Sequence, residues 1–207
     1  MKAGKLRNEL YYLWSVYRWP LLAGLLGVVL ILFFAMKAVT AKEPVLRVML
    51  IDCHADAAPE QMEEDFLSAA GLADGRQGAD FVTDLLFEDA AGGNYAMTSL
   101  SRFLTDVGSK KLDVCGMPEE SFLKYDDSET WLDLSELLDA DTLSALEDSL
   151  VVKDDRVIGI KADALPVLRA YGCYENAYPG GILGVVYNTP HRDVAGKYLL
   201  YAAGLQE

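Results

Sequence analysis

Histidine and cysteine are scarce in this chain. Two histidines, His54 and His191, and three cysteines, Cys53, Cys115 and Cys173, stand among 207 residues. Neither histidine comes with a G-x-S-x-G or caspase-like cysteine context, which removes the familiar routes to nucleophilic catalysis. The cysteines form no C-x-x-C and no zinc-ligand spacing. An odd count leaves at least one thiol unpaired within the chain outside the cell. Neither G-x-x-x-x-G-K-[ST] nor G-x-G-x-x-G is present to cradle phosphates.

Positive charge is also scarce, and it is unevenly placed. Residues 1–42 hold six Lys/Arg against one acid (net +5), and residues 43–207 hold twelve against thirty-one (net −19). Such a split suggests two environments. A domain this acidic repels phosphates and gains no counterion-release affinity, so nucleic acid is excluded as a partner.

One long apolar run is present. Residues 19–36, "WPLLAGLLGVVLILFFAM", carry no charge over eighteen positions. As a helix they would span roughly 27 Å, close to the hydrocarbon thickness of a bilayer. Tyr11, Tyr12, Trp14, Tyr17 and Trp19 crowd the entry, where amphipathic rings favour a membrane interface. Trp14, Tyr17 and Trp19 are the candidate anchor residues. Ala23 and Gly27 have the small-xxx-small spacing of helix dimers. The sequence predicts a cytoplasmic or interfacial aromatic-basic segment over 1–18, a transmembrane helix over 19–39, a linker over 40–44 and an extracytoplasmic α/β domain over 45–207. Positive residues before the span weakly favour an inside N-terminus. A signal peptide cleaved near Val39-Thr40-Ala41 is the competing reading.

Beyond the linker, β-rich runs alternate with helical periodicity. Strands are expected at 45–52, 79–87, 111–116 and 181–188, and helices at 59–71, 94–108, 118–125 and 191–204. Asp154-Asp155 between apolar runs at 150–162 reads as a hairpin turn. Strand–helix alternation predicts a doubly wound, mostly parallel sheet. On that order the first and third strands are neighbours, which brings Cys53 near Cys115 at their C-terminal ends.

The order of "EQMEEDFLSAAG", "LDVCGMPEESFLKY", "WLDLSELL", "VIGIKA" and "GILGVVYNTPHRDVAGKYLLYAAG" resembles the extracellular solute-binding proteins of ABC importers, the type II periplasmic-binding-protein fold. "YYLWSVYRWP" with its apolar run looks like small membrane-anchored Gram-positive proteins carrying such a domain. The resemblance implies one lobe of that fold, because only about twenty residues, 163–180, stand where a second lobe belongs. It places ligand contacts along the strand ends, at Asp52, His54, Gly116, Glu119 and Trp131. Trp131 reads equally as a core anchor under a loop. Asp52, His54 and Asp56 are a weak divalent-metal alternative. Tyr171, Cys173, Tyr174 and Tyr178, where the second lobe should be, would indicate a protein partner if exposed. Tyr95 is a further loop aromatic that could line a groove.

The function expected from these observations is a membrane-anchored, non-enzymatic domain for protein interaction or reduced ligand binding, with no cofactor. An importer receptor and a metal-dependent enzyme using the 52–56 loop are the alternatives. The expected partners are the lipid bilayer, a membrane or cell-surface protein, and ABC transporter components.

Overall fold

The computed structural model describes residues 19–20, 22–33, 43–73, 75–87, 94–126, 130–174 and 180–206. Contacts divide the chain into two units, Met1–Ala41 and Lys42–Glu207. In the first, residues 19–20 and 22–33 are helical. A bilayer crossing takes about 20 apolar residues. Among the described residues no helix is long and apolar enough to cross a membrane. The expected transmembrane helix over 19–39 is corrected accordingly; its residues 21 and 34–39 lie outside the described residues. The single-pass topology, the extracytoplasmic placement and the bilayer partner rested on that helix and fall with it. Of the expected anchor residues, Trp19 is described and exposed; Trp14 and Tyr17 lie outside the described residues.

The second unit is built on one sheet. Its strands are β1 (Glu43–Leu50), β2 (Gln77–Val82), β3 (Val114–Pro118), β4 (Leu150–Lys153), β5 (Arg156–Lys161) and β6 (Gly181–Val185). The helices are α1 (Pro59–Ala69), α2 (Asn94–Gly108), α3 (Glu119–Asp126), α4 (Ala140–Ala145), α5 (Pro166–Ala170) and α6 (Arg192–Ala202). Local chemistry accounts for their ends. Pro59 opens α1, where its missing N–H costs nothing, and Gly71 at φ 68° ends the turn beyond it. Asp139 caps α4 by accepting the Thr142 N–H at 2.7 Å. Asp154 and Asp155 turn the β4–β5 hairpin with φ of 51° and 60°, both left-handed as in a type I′ turn.

The strand order is β2-β1-β3-β6-β5-β4. β1 pairs in parallel with β2 and β3, through the crossovers that α1 and α2 provide. β3 with β6, β6 with β5, and β5 with β4 are antiparallel. The expected mostly parallel sheet is therefore a mixed one. Strand–helix alternation encodes a crossover only where a full helix spans the sheet. The connection into β6 holds a 3-10 turn and the short α5, and it returns β6 against the direction of β3.

Period-2 alternation along β1 feeds a core on each face. Leu46, Val48 and Leu50 pack with Phe66 of α1 and Tyr198 and Leu199 of α6. Met49 and Ile51 pack with Phe103 of α2 and with Phe122 and Trp131. Phe122 stacks on Trp131 with ring centroids 4.1 Å apart and planes 2° from parallel. The Trp131 Nε1–H donates to the Phe122 carbonyl at 3.1 Å. This buries both rings with the indole donor satisfied, as a core anchor requires.

Candidate functional site

At the C-terminal ends of β1 and β3, the edge where open α/β sheets commonly hold ligands, the protein has placed its own side chains. Asp52 is buried at φ 50°, and its carboxylate accepts the Phe87 N–H at 2.8 Å. It ties the end of β1 to the segment after β2. Tyr174 lies over Gly116: a Cβ on Gly116 would stand 2.9 Å from the Tyr174 hydroxyl and 2.9 Å from Leu50 Cδ2. The hydroxyl donates to the Ile51 carbonyl at 3.1 Å. Burial pushes the Tyr174 phenol well above its ordinary pKa.

Asp52 and Gly116 are thus brought to one edge, and His54 is exposed beside it. Glu119 is exposed at the start of α3, with its N–H on the Gly180 carbonyl at 3.1 Å. Trp131 is set apart, bridged to Val186 beyond β6. Tyr95 is exposed on α2, with its hydroxyl on the Asp84 carbonyl. Tyr171, Cys173 and Tyr174 are buried, so they present no patch to a partner; Tyr178 lies outside the described residues. Asp52, His54 and Asp56 do not form a metal site: among the described residues no three His, Cys, Asp or Glu side chains gather to hold one. The inward turn of Asp52 accounts for this. The metal-dependent enzyme built on this loop is corrected for that reason.

The cysteines are also arranged differently from the expectation. The β1–β3 register sets Cys115 beside Met49, four positions short of Cys53. Cys53 and Cys173 belong to one core and Cys115 to the other. The neighbour of Cys53 is Cys173.

A different cleft, of about 380 Å³, opens toward the opposite end of the parallel strands. Arg47 of β1, Asp80 of β2, Lys110 and Lys111 after α2, Asp113 before β3 and His191 before α6 line it. Asp113 is buried, with 1% of its surface exposed. One of its oxygens takes the Arg47 N–H at 2.7 Å, and the other takes the Thr189 hydroxyl. The His191 Nδ1 stands 3.1 and 3.2 Å from the two oxygens. An acceptor-only carboxylate at that nitrogen takes an Nδ1–H, so Nε2 offers an N–H to an anion in the imidazolium form of the ring. Thr189 is engaged twice, since its hydroxyl oxygen also accepts the His191 N–H at 3.0 Å.

The charges of the cleft are partly spent within it. Arg47 pairs with Asp80 at 2.8 Å and with Asp106 of α2 at 3.3 Å. Lys110 and Lys111 are exposed and form no ion pair with any described carboxylate. Lys110 holds the left-handed position after α2, at φ 58°, where helices usually place glycine. The sequence reading missed this site, because Asp113 and His191 are 78 positions apart. The signal present in the sequence was "GSKKLD" (108–113): two lysines directly after a helix end, on a chain otherwise rich in acids.

No family model, no curated protein and no solved structure matches this chain. The resemblance to the solute-binding proteins of ABC importers is therefore not upheld, and the importer-receptor and transporter-partner readings are withdrawn with it.

Proposed function

We propose that this chain binds a small oxyanion ligand, bearing a carboxylate or phosphate group, in the cleft of Lys110, Lys111 and His191, as a binding site rather than an enzyme. The observation that carries this reading is the buried Asp113 carboxylate, which orients the His191 imidazole at the mouth of that cleft. Two lysines beside it supply cations on a unit whose residues 43–207 carry a net charge of −19. Anions elsewhere on that surface meet repulsion; here they meet donors. The Thr189 hydroxyl and the Asp113 carboxylate are bonded to each other, which suits them to positioning rather than to reaction at a ligand.

Calorimetric titration of the full chain with inorganic phosphate and with citrate tests the reading. Binding is expected, and it should weaken as salt rises from about 0.05 to about 0.5 M, since exposed charges are screened. Lys110→Glu combined with Lys111→Glu should abolish it, while Lys161→Glu on β5 should not. Absence of binding by either anion at low salt, or equal loss in all variants, overturns the proposal.

A further inference from the structure

The segment after β1 and the turn after α5 run past each other in opposite directions and are tied at two points. The Asp56 N–H donates to the Tyr171 carbonyl at 2.8 Å, and the Tyr174 hydroxyl donates to the Ile51 carbonyl at 3.1 Å. Residues 53 and 173 fall between these ties. The approach is close: Gly172 has φ +73°, and a Cβ on it would stand 2.6 Å from Asp56 Oδ2. Tyr171 anchors the turn further, its hydroxyl donating to Asp65 at 2.8 Å. Within this clamp Cys173 and Cys53 are neighbours in one core. Both are free and buried, Cys53 with 6% and Cys173 with 1% of its surface exposed.

We propose that Cys53 and Cys173 are a redox-modifiable pair, which a low-molecular-weight disulfide such as oxidised glutathione converts to an intramolecular disulfide stapling the turn after α5 to the end of β1. Cys53, the more exposed, attacks one sulfur of the oxidant as a thiolate. The oxidant's S–S bond breaks, a mixed disulfide forms, and one glutathione thiolate leaves. The Cys173 thiolate then attacks Cys53 Sγ and expels the second glutathione. The two thiol protons pass to the two glutathione thiolates, which also take the two electrons. The Cys53 thiol beside it and its burial hold the Cys173 thiol above its ordinary pKa. Only the thiolate reacts, so closure is slow at neutral pH and quickens as pH rises. Cys115 serves as the internal control: it lies in the opposite core with its Sγ 3.8 Å from the Gly116 carbonyl, and burial raises its pKa well above the ordinary value.

The inference is independent of the oxyanion cleft, which involves none of these residues. Its test is incubation of the reduced full chain with oxidised glutathione at pH about 8.5, followed by intact mass, thiol count after denaturation and peptide mapping. The expected result is a loss of about 2 Da without a glutathione adduct. One remaining thiol should map to Cys115. The melting temperature should rise by about 5–15 °C, reversed by dithiothreitol, because the bridge closes a loop of more than a hundred residues in the unfolded chain. Cys53→Ala and Cys173→Ala should each block the bridge and the shift. The wild-type mass and map decide the matter even if a variant fails to fold. Three free thiols, a stable glutathione adduct, or a bridge involving Cys115 overturns the proposal.

Discussion

The Nδ1 atom of His191 stands 3.1 and 3.2 Å from the two oxygens of Asp113, a carboxylate buried to 1% exposure. The same carboxylate holds the Arg47 N–H and the Thr189 hydroxyl, so it joins β1, β3 and the entry to α6. Asp113→Ala leaves buried donors unsatisfied and should cost about 3 kcal/mol in urea unfolding. His191→Ala removes a side chain that is 39% exposed, and should cost less than about 1 kcal/mol. Both should lose oxyanion binding by calorimetry. A large stability loss on His191→Ala would show that the imidazole is chiefly structural.

Lys110 pairs function with strain. A non-glycine residue in the left-handed region costs about 1–2 kcal/mol, and Lys110 sits there at φ 58°. Lys110→Gly should raise stability by about 1 kcal/mol while weakening phosphate binding. Thermal melts and titrations on one preparation check both directions. Unchanged affinity would remove Lys110 from the site.

Gly116 is required by what lies over it. A Cβ there meets Leu50 Cδ2 at 2.9 Å, the Tyr174 hydroxyl at 2.9 Å and Leu183 Cδ1 at 3.3 Å. Gly116→Ala should destabilise by about 2 kcal/mol through overpacking. Tyr174→Phe alone should cost about 1 kcal/mol for the bond to Ile51. The double variant should cost less than the sum, since the phenylalanine has no hydroxyl to clash. Strict additivity in denaturant unfolding would mean that the two residues do not meet.

Asp133 gives a pH dependence. Burial pushes its carboxyl up, but hydrogen bonds from the Ser135 and Val157 N–H groups and the nearby Arg156 guanidinium outweigh that and hold it below its ordinary pKa. These bonds, at 3.0 and 3.2 Å, fasten the segment after Trp131 to β5. A depressed folded-state pKa contributes stability that is present above the unfolded value and lost as pH falls through the folded one. Asp133→Ala should therefore destabilise by about 1 kcal/mol at pH near 7. The difference from wild type should shrink as pH falls below about 4. A difference that stays constant with pH would assign the loss to packing rather than to the charge.

Local signals were readable wherever the residues concerned act on their own neighbours. Helix α2 runs from Asn94 to Gly108 as the periodicity indicated, and Asp154-Asp155 turn the hairpin between β4 and β5. The charge asymmetry, the β-rich run at 45–52 and the parallel pairing of β1 with β3 were also legible. The apolar run at 19–36 was legible as composition, but the expected membrane span was overturned, since among the described residues no helix is long and apolar enough to cross a membrane.

Other features required the chain to close on itself. The direction of β6 follows from how an irregular connection packs, not from any periodicity within 181–185. Tyr174 reads as a loop aromatic until the turn after α5 folds onto Gly116 and buries it. Cys53 met Cys173 rather than Cys115, because the chain leaves β1 after Leu50 and turns at Asp52 with φ 50°, which breaks the alternation that would have set position 53 on the face of Met49, Ile51 and Cys115. Asp113 and His191 are 78 positions apart, and only the sheet brings them together. The sequence by itself determined the segments and their amphipathic faces, which depend on local backbone preference and hydrophobic period. The tertiary structure alone decided strand direction, the filled edge and the oriented histidine, because each depends on contacts between residues distant in the chain.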